Sequence, residues 1–133
     1  MAKSTKPFGN TPLPTEAELA ILQILWKLGP STVREIHTAL QSRGTGYTTA
    51  LKQMQVMTEK GLLTRSERYR SHVYEARIPQ KQTQLLLTRN LLQRAFDGSA
   101  KNLVLGALSA QPVSASELAE IRQMLDRFEK GKP

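Results

Sequence analysis

Within Gly46–Leu63, GYTTALKQMQVMTEKGLL, a few side chains have the types and spacing to grip a polyanion. Thr48, Thr49, Lys52 and Gln55 supply hydroxyls, methyl groups, an ammonium and an amide. Thr48, Lys52 and Gln55 are four and three residues apart, so a helix would carry them on one face. Hydroxyls can bond phosphate oxygens, a lysine can reach a guanine edge or a phosphate, and a glutamine can pair with adenine. Threonine methyls can touch a thymine methyl. Tyr47 at the start of the stretch and Gln53 inside it are further candidate contacts. The next stretch, Thr64–Pro79, TRSERYRSHVYEARIP, holds four arginines. Of these, Arg65, Arg68 and Arg70 can bind phosphates or enter a minor groove, and a protonated His72 can donate to a phosphate.

Chemistry of other kinds lacks its residues. The chain has no cysteine and only two histidines, His37 and His72, which are isolated from each other and from any acidic cluster. No nucleophile–base pair, metal-ligand spacing or thiolate site can be assembled, so neither an enzyme nor a cofactor or metal is expected. Met54 and Met57 read as core, as does Trp26.

The formal charge is +8 over 133 residues. Between Arg43 and Arg77, seven basic side chains (Arg43, Lys52, Lys60, Arg65, Arg68, Arg70, Arg77) face three acidic ones (Glu59, Glu67, Glu75), a surplus of four in about a quarter of the chain. Such an excess favours nucleic acid or an anionic membrane surface as partner. The first dozen residues hold no signal-peptide core, and no run approaches the roughly 18 apolar residues of a membrane span. A soluble cytoplasmic protein is expected.

The elements that must position these residues follow from periodicity and breakers. Thr15 can cap a first helix carrying Leu19, Leu22, Leu25 and Trp26, which Gly29-Pro30 ends. Ser31 or Thr32 can cap a second, with Val33, Ile36 and Leu40 on its buried side, closed by Arg43-Gly44-Thr45-Gly46. A third runs from Tyr47 or Thr48 to Lys60, with Gly61 after it. Burying Ala50, Leu51, Met54 and Met57 turns Thr48, Lys52, Gln55 and Glu59 outward, and one of Thr48 and Thr49 is expected to cap this helix as well. Leu62–Glu67 and His72–Ile78 read as strands separated by Arg68-Tyr69-Arg70-Ser71, which becomes the tip of a hairpin. A basic hairpin alone is often only a solvated edge. Three helices followed by a basic hairpin, in this order, predict a helix-turn-helix with a wing.

The remaining third reads as helical. Residues 80–96 and 100–110 form two leucine-rich segments broken by Asp97-Gly98-Ser99. Pro112 breaks again, and Ser114 with Glu117 forms a capping box before an apolar stripe of Leu118, Ile121, Leu125 and Phe128. A segment of about 50 residues seldom buries this much apolar area by itself. Docking on the same segment of a second chain would cover Leu87, Leu91, Leu92, Phe96, Leu103, Leu105, Leu108, Leu118, Ile121, Leu125 and Phe128. The expected class is therefore mainly α with a small β-hairpin wing. Residues 1–12 form a disordered basic tail, 13–79 a winged-helix DNA-binding domain, 80–129 a helical dimerisation domain and 130–133 a second disordered tail.

In these motifs the chain resembles the BlaI/MecI/CopY family of bacterial repressors. The resemblance is carried by Leu13-Pro14-Thr15-Glu16-Ala17-Glu18-Leu19 through Trp26, by GYTTALKQMQVMTEKGLL, by HVYEARI at 72–78, by FDGSAKNLVLGAL at 96–108 and by SELAEIRQML at 116–125. It implies a homodimer that blocks transcription at a palindromic operator with TACA/TGTA-type half-sites. It also brings in a sensor protease as a candidate partner, since β-lactam-responsive members are cleaved at an Asn-Phe bond after Leu-Val-Leu. Here Leu103-Val104-Leu105 is followed by Gly106-Ala107, so that bond is absent. The cysteine motifs of copper-responsive members are absent too. The competing class is a winged helix that binds another protein and no DNA.

Overall fold

A computed structural model describes residues 12–68 and 70–131. The expected tail at 1–12 lies, apart from Pro12, outside the described residues. The order is α1 (Glu16–Leu28), α2 (Val33–Ala39), a 3₁₀ turn (Gln41–Arg43), α3 (Tyr47–Lys60), β1 (Leu63–Arg68), β2 (Ser71–Ala76), α4 (Gln80–Ala95), α5 (Ala100–Ala110) and α6 (Ala115–Lys130). The chain forms two compact units that meet between Thr88 and Arg89, inside α4. The boundary thus falls nine residues beyond the expected junction at 79/80. Part of the reason is local: Thr83, in the first turn of α4, is buried within the first unit.

In the first unit, local capping starts two helices. The Thr15 hydroxyl accepts from the Glu18 N–H, and the Thr15 N–H donates to Glu18 Oε1 at 3.0 Å. Thr32 and Glu35 repeat the arrangement, so Thr32 rather than Ser31 is the cap of α2. Ser31 instead pairs with Tyr74, its N–H donating to the Tyr74 carbonyl at 2.9 Å and its carbonyl accepting in return at 2.8 Å. That exchange fixes the wing against the start of α2.

The core joins one face of each helix: Ile21, Leu22 and Leu25 from α1, Val33, Ile36 and Leu40 around α2, Ala50, Met54 and Met57 from α3, and Leu62, Leu63 and Tyr74 from the hairpin. A 14-residue helix is marginal by itself in water, so the rotation of α3 is set by this burial. Each fully buried Leu, Ile or Met contributes roughly 1.5–3 kcal/mol, far more than any propensity difference along the helix. Gly61 ends α3 at φ 88°, a conformation that favours glycine, and turns the chain directly into β1. Trp26 is half-buried, and its Nε1–H donates to the Ile78 carbonyl at 3.1 Å, anchoring the exit from β2.

The hairpin turn is shorter than the sequence reading. Leu63 pairs with Ala76 and Arg68 with Ser71, so pairing runs into the stretch read as the tip. Arg68-Tyr69-Arg70-Ser71 lacks the Asn-Gly or Asp-Gly signal that marks a two-residue turn, which is why the sequence suggested a longer one.

An ion pair joins the two ends of this core. Lys60 Nζ at the end of α3 lies 2.7 Å from Glu18 Oε2 in α1. Burial pushes the Glu18 carboxyl up, but the Lys60 hydrogen bond, the Thr15 N–H, the Lys60 charge and the Thr15 hydroxyl together hold it below the usual carboxylate range. A depressed folded pKa gives stability that is present above the unfolded value, about 4.3, and is lost as pH falls through the depressed one. Glu18→Gln should therefore lower stability by roughly 1 kcal/mol at pH 7, since Lys60 is partly solvated. It should also flatten the loss of stability below about pH 4.3. Urea melts of both proteins from neutral to acid pH check this, and parallel pH profiles would refute it.

In the second unit, Asp97 (φ 51°) and Gly98 (φ 80°) reverse the chain after α4, which stops at Ala95. Ser99 caps α5 by accepting from the Asn102 N–H, and Ser114 caps α6 by accepting from the Glu117 N–H. Gly106 lies against the Phe96 ring, where an added Cβ would sit 3.5 Å from Cζ. α6 reaches Lys130 and Gly131 follows, one helical residue past the expected limit at 129. Among residues 89–131, no residue is buried within the single chain. Among the described residues, no helix is long and apolar enough to cross a membrane.

Candidate nucleic-acid interface

The burial of Ala50, Met54 and Met57 decides what α3 presents. At 100° per residue, Thr48, Lys52, Gln55 and Glu59 stand opposite that face, and all four are exposed. The helix cap differs from expectation. Gly46 is the N-cap and no side chain bonds the first turn, so neither Thr48 nor Thr49 caps the helix. Amide donors therefore stay available at the positive end of the α3 dipole, beside two exposed hydroxyls.

Two clefts flank the helix. One, of about 380 Å³, is lined by Thr32, Arg34, Tyr47, Ser71 and His72 with apolar walls from Val33, Leu51 and Tyr74. It brings the predicted Tyr47 and His72 together from α3 and β2. Tyr47 is held there by an edge-to-face contact with His37, ring centroids 5.7 Å apart. The other, about 230 Å³, lies at the α2–α3 turn and includes Arg43, Thr45, Thr49 and Gln53. Gln53 is half-buried on this flank, off the line of Thr48, Lys52 and Gln55.

Beyond Leu63, β1 stands clear of the core, while β2 reaches back to it through Tyr74. Strand alternation puts Arg65 and Glu67 on the face shared with Tyr74 and His72, and turns Arg68 to the other. The structure thus gathers Arg68 and Arg70 at the tip and leaves Arg65 behind them. Two arginines that the sequence reading did not name as contacts, Arg34 and Arg43, line these clefts, one in each. An exposed arginine two residues after a helix cap was the available signal for Arg34. Arg43 was counted in the local basic surplus and read as part of the loop that closes α2, but not as a contact.

Arg70 sits at φ 65°, in the left-handed region that costs a non-glycine residue roughly 1–2 kcal/mol. Arg70→Gly relieves that cost, offset by the extra freedom glycine gives the unfolded chain, for a net gain of roughly 0.5–1 kcal/mol. If the arginine touches phosphate, the same change lowers the slope of log K against log salt by about one unit. Thermal melts and salt-titrated DNA binding test the pair. A more stable variant with an unaltered slope removes Arg70 from the interface.

The sequence profile of the penicillinase repressor family matches residues 14–127. The penicillinase repressor of Bacillus licheniformis is 24% identical over 119 residues, covering 89% of this chain and 93% of that protein. A solution structure of a homodimeric winged helix-turn-helix DNA-binding domain from Mycobacterium bovis, a possible ArsR-family regulator, is a partial likeness. It has 23% identity and a TM-score of 0.43, over 62% of this chain and 72% of that one.

Proposed function

The chain belongs to the penicillinase repressor family, and from that membership we propose that it is a homodimer which represses transcription by binding a palindromic operator. Its broader role is that of a DNA-binding transcriptional regulator, not an enzyme. The observation that carries the finer reading is the outer line of α3. Thr48, Lys52 and Gln55 are exposed together, with free amides at the helix start and an arginine-tipped wing in the same unit. A major groove admits such a helix, and its base edges offer the donors and acceptors those side chains match. Thr48, Thr49, Lys52 and Gln55 select sequence. Tyr47, His72, Arg68 and Arg70 hold the backbone, with Arg65 and Gln53 at the margin.

Self-association is supported by the second unit. Leu105, Leu125 and Phe128 are 60%, 57% and 77% exposed in the protomer. A second copy supplies the cover, and two-fold symmetry then matches a palindrome with one recognition helix per half-site. Half-sites of TACA/TGTA type follow from the family resemblance. Release by cleavage at an Asn-Phe bond forms no part of this proposal, because Gly106-Ala107 occupies that place. Selection of bound fragments from genomic DNA by the purified protein tests the reading. Enrichment of one palindrome is expected, and retention of no fragment above a nonspecific background would overturn it.

A further inference from the structure

We propose that Val56 is a specificity-determining residue that reads the C5-methyl group of a thymine; the inference rests on the proposed entry of α3 into a major groove. Val56 is 37% exposed near the middle of α3. It belongs neither to the hydrophobic core nor to the side chains packed against it. Four residues after Lys52 and next to Gln55, it stands on the outer side of the helix one turn beyond Lys52.

Helix propensity does not call for valine at this position, and the core does not use it. A β-branched residue is a poorer helix former than alanine, and its exposed methyls face water. The other outward residues of α3 (Thr48, Lys52, Gln55 and Glu59) all carry hydrogen-bonding groups. Val56 is the purely aliphatic member of that set. On the major-groove edges of ordinary DNA, the one apolar group is the thymine methyl. An aliphatic side chain flanked by hydrogen-bonding readers therefore has one complementary partner. The threonine methyls near the helix start stand two turns away, so Val56 would read a different base pair from theirs.

The same methyl is found on 5-methylcytosine, and the test separates the two sources. Full-length protein and Val56→Ala are titrated with a duplex carrying the selected site. Each thymine is replaced singly by deoxyuridine, and each cytosine singly by 5-methylcytosine. Alanine is the better helix former, so the variant keeps its fold. For the wild type, deoxyuridine at one position per half-site should weaken binding about four-fold, the factor for losing one methyl from an apolar contact. In Val56→Ala that position should become insensitive, and 5-methylcytosine should strengthen neither protein. Equal losses in both proteins, or no sensitive thymine, would overturn the assignment while leaving DNA reading by α3 intact. A gain from 5-methylcytosine that only the wild type shows would move the contact to cytosine and overturn it too. A wild-type protein that binds no duplex would sink this inference together with the reading beneath it.

Discussion

A chain ending at Thr88 is expected to sediment as a monomer, keep a cooperative thermal transition, and bind the operator at least about a hundred-fold more weakly than the full chain. The expectation combines three facts about the units. The core of the first unit, from Ile21 to Tyr74, lies wholly before Thr88, so its folding does not require the second unit. The second unit buries no residue in the protomer and exposes Leu105, Leu125 and Phe128. Covering an exposed leucine or phenylalanine contributes roughly 1.5–3 kcal/mol, so a few such side chains outweigh the entropy of pairing two chains. Linking two reading heads then makes the second half-site contact intramolecular, which raises affinity by about 10²–10⁴. Ending at Thr88 rather than near Gln80 matters, since a shorter chain would strip Thr83 from the packing of the first unit. Sedimentation and operator titration at fixed salt measure both quantities. A truncated chain that remains dimeric would place the interface in the first unit.

Lys52→Ala is expected to weaken operator binding by about 1–3 kcal/mol and to relax sequence preference at one base pair of each half-site. Lys52 stands opposite Ala50, Met54 and Met57, so it is central on the outward face of α3. Its loss leaves the core untouched, and alanine suits a helix, so stability should hold within about 0.5 kcal/mol. Gln53→Ala provides the contrast. Gln53 is half-buried in the cleft at the α2–α3 turn and should change affinity far less than Lys52. Competition binding against single-base variants of the site gives both numbers at once. Unaltered affinity for Lys52→Ala near physiological salt would take the residue out of the interface and shift sequence reading towards Thr48 and Gln55.

Most of the helical frame could be read directly from the chain. Apolar residues at three- and four-residue spacing, Thr15 and one of Ser31 and Thr32 as caps, and Gly29 and Gly61 as stops act over a single turn, so their signal is local. The outward placement of Thr48, Lys52 and Gln55 was legible for the same reason, because rotating Met54 and Met57 inward fixes every other residue of α3. The wing was less so. Its register came from backbone pairing, and the pairing of Ser31 with Tyr74 joins residues more than forty positions apart.

By itself, the sequence determined that this is a basic, cysteine-free, mainly helical chain, with one polar helix face suited to DNA and a C-terminal third too apolar to stand uncovered. Those properties are sums over composition or repeats of about 3.6 residues, and no long-range contact is needed to state them. Only the tertiary structure decided that Arg34, Tyr47 and His72 share one cleft, that Gln53 turns aside, that Arg70 bears backbone strain at the tip of the wing, and that Val56 lies outside the core. Each depends on where distant segments pack, and burial energy rather than local preference makes that choice.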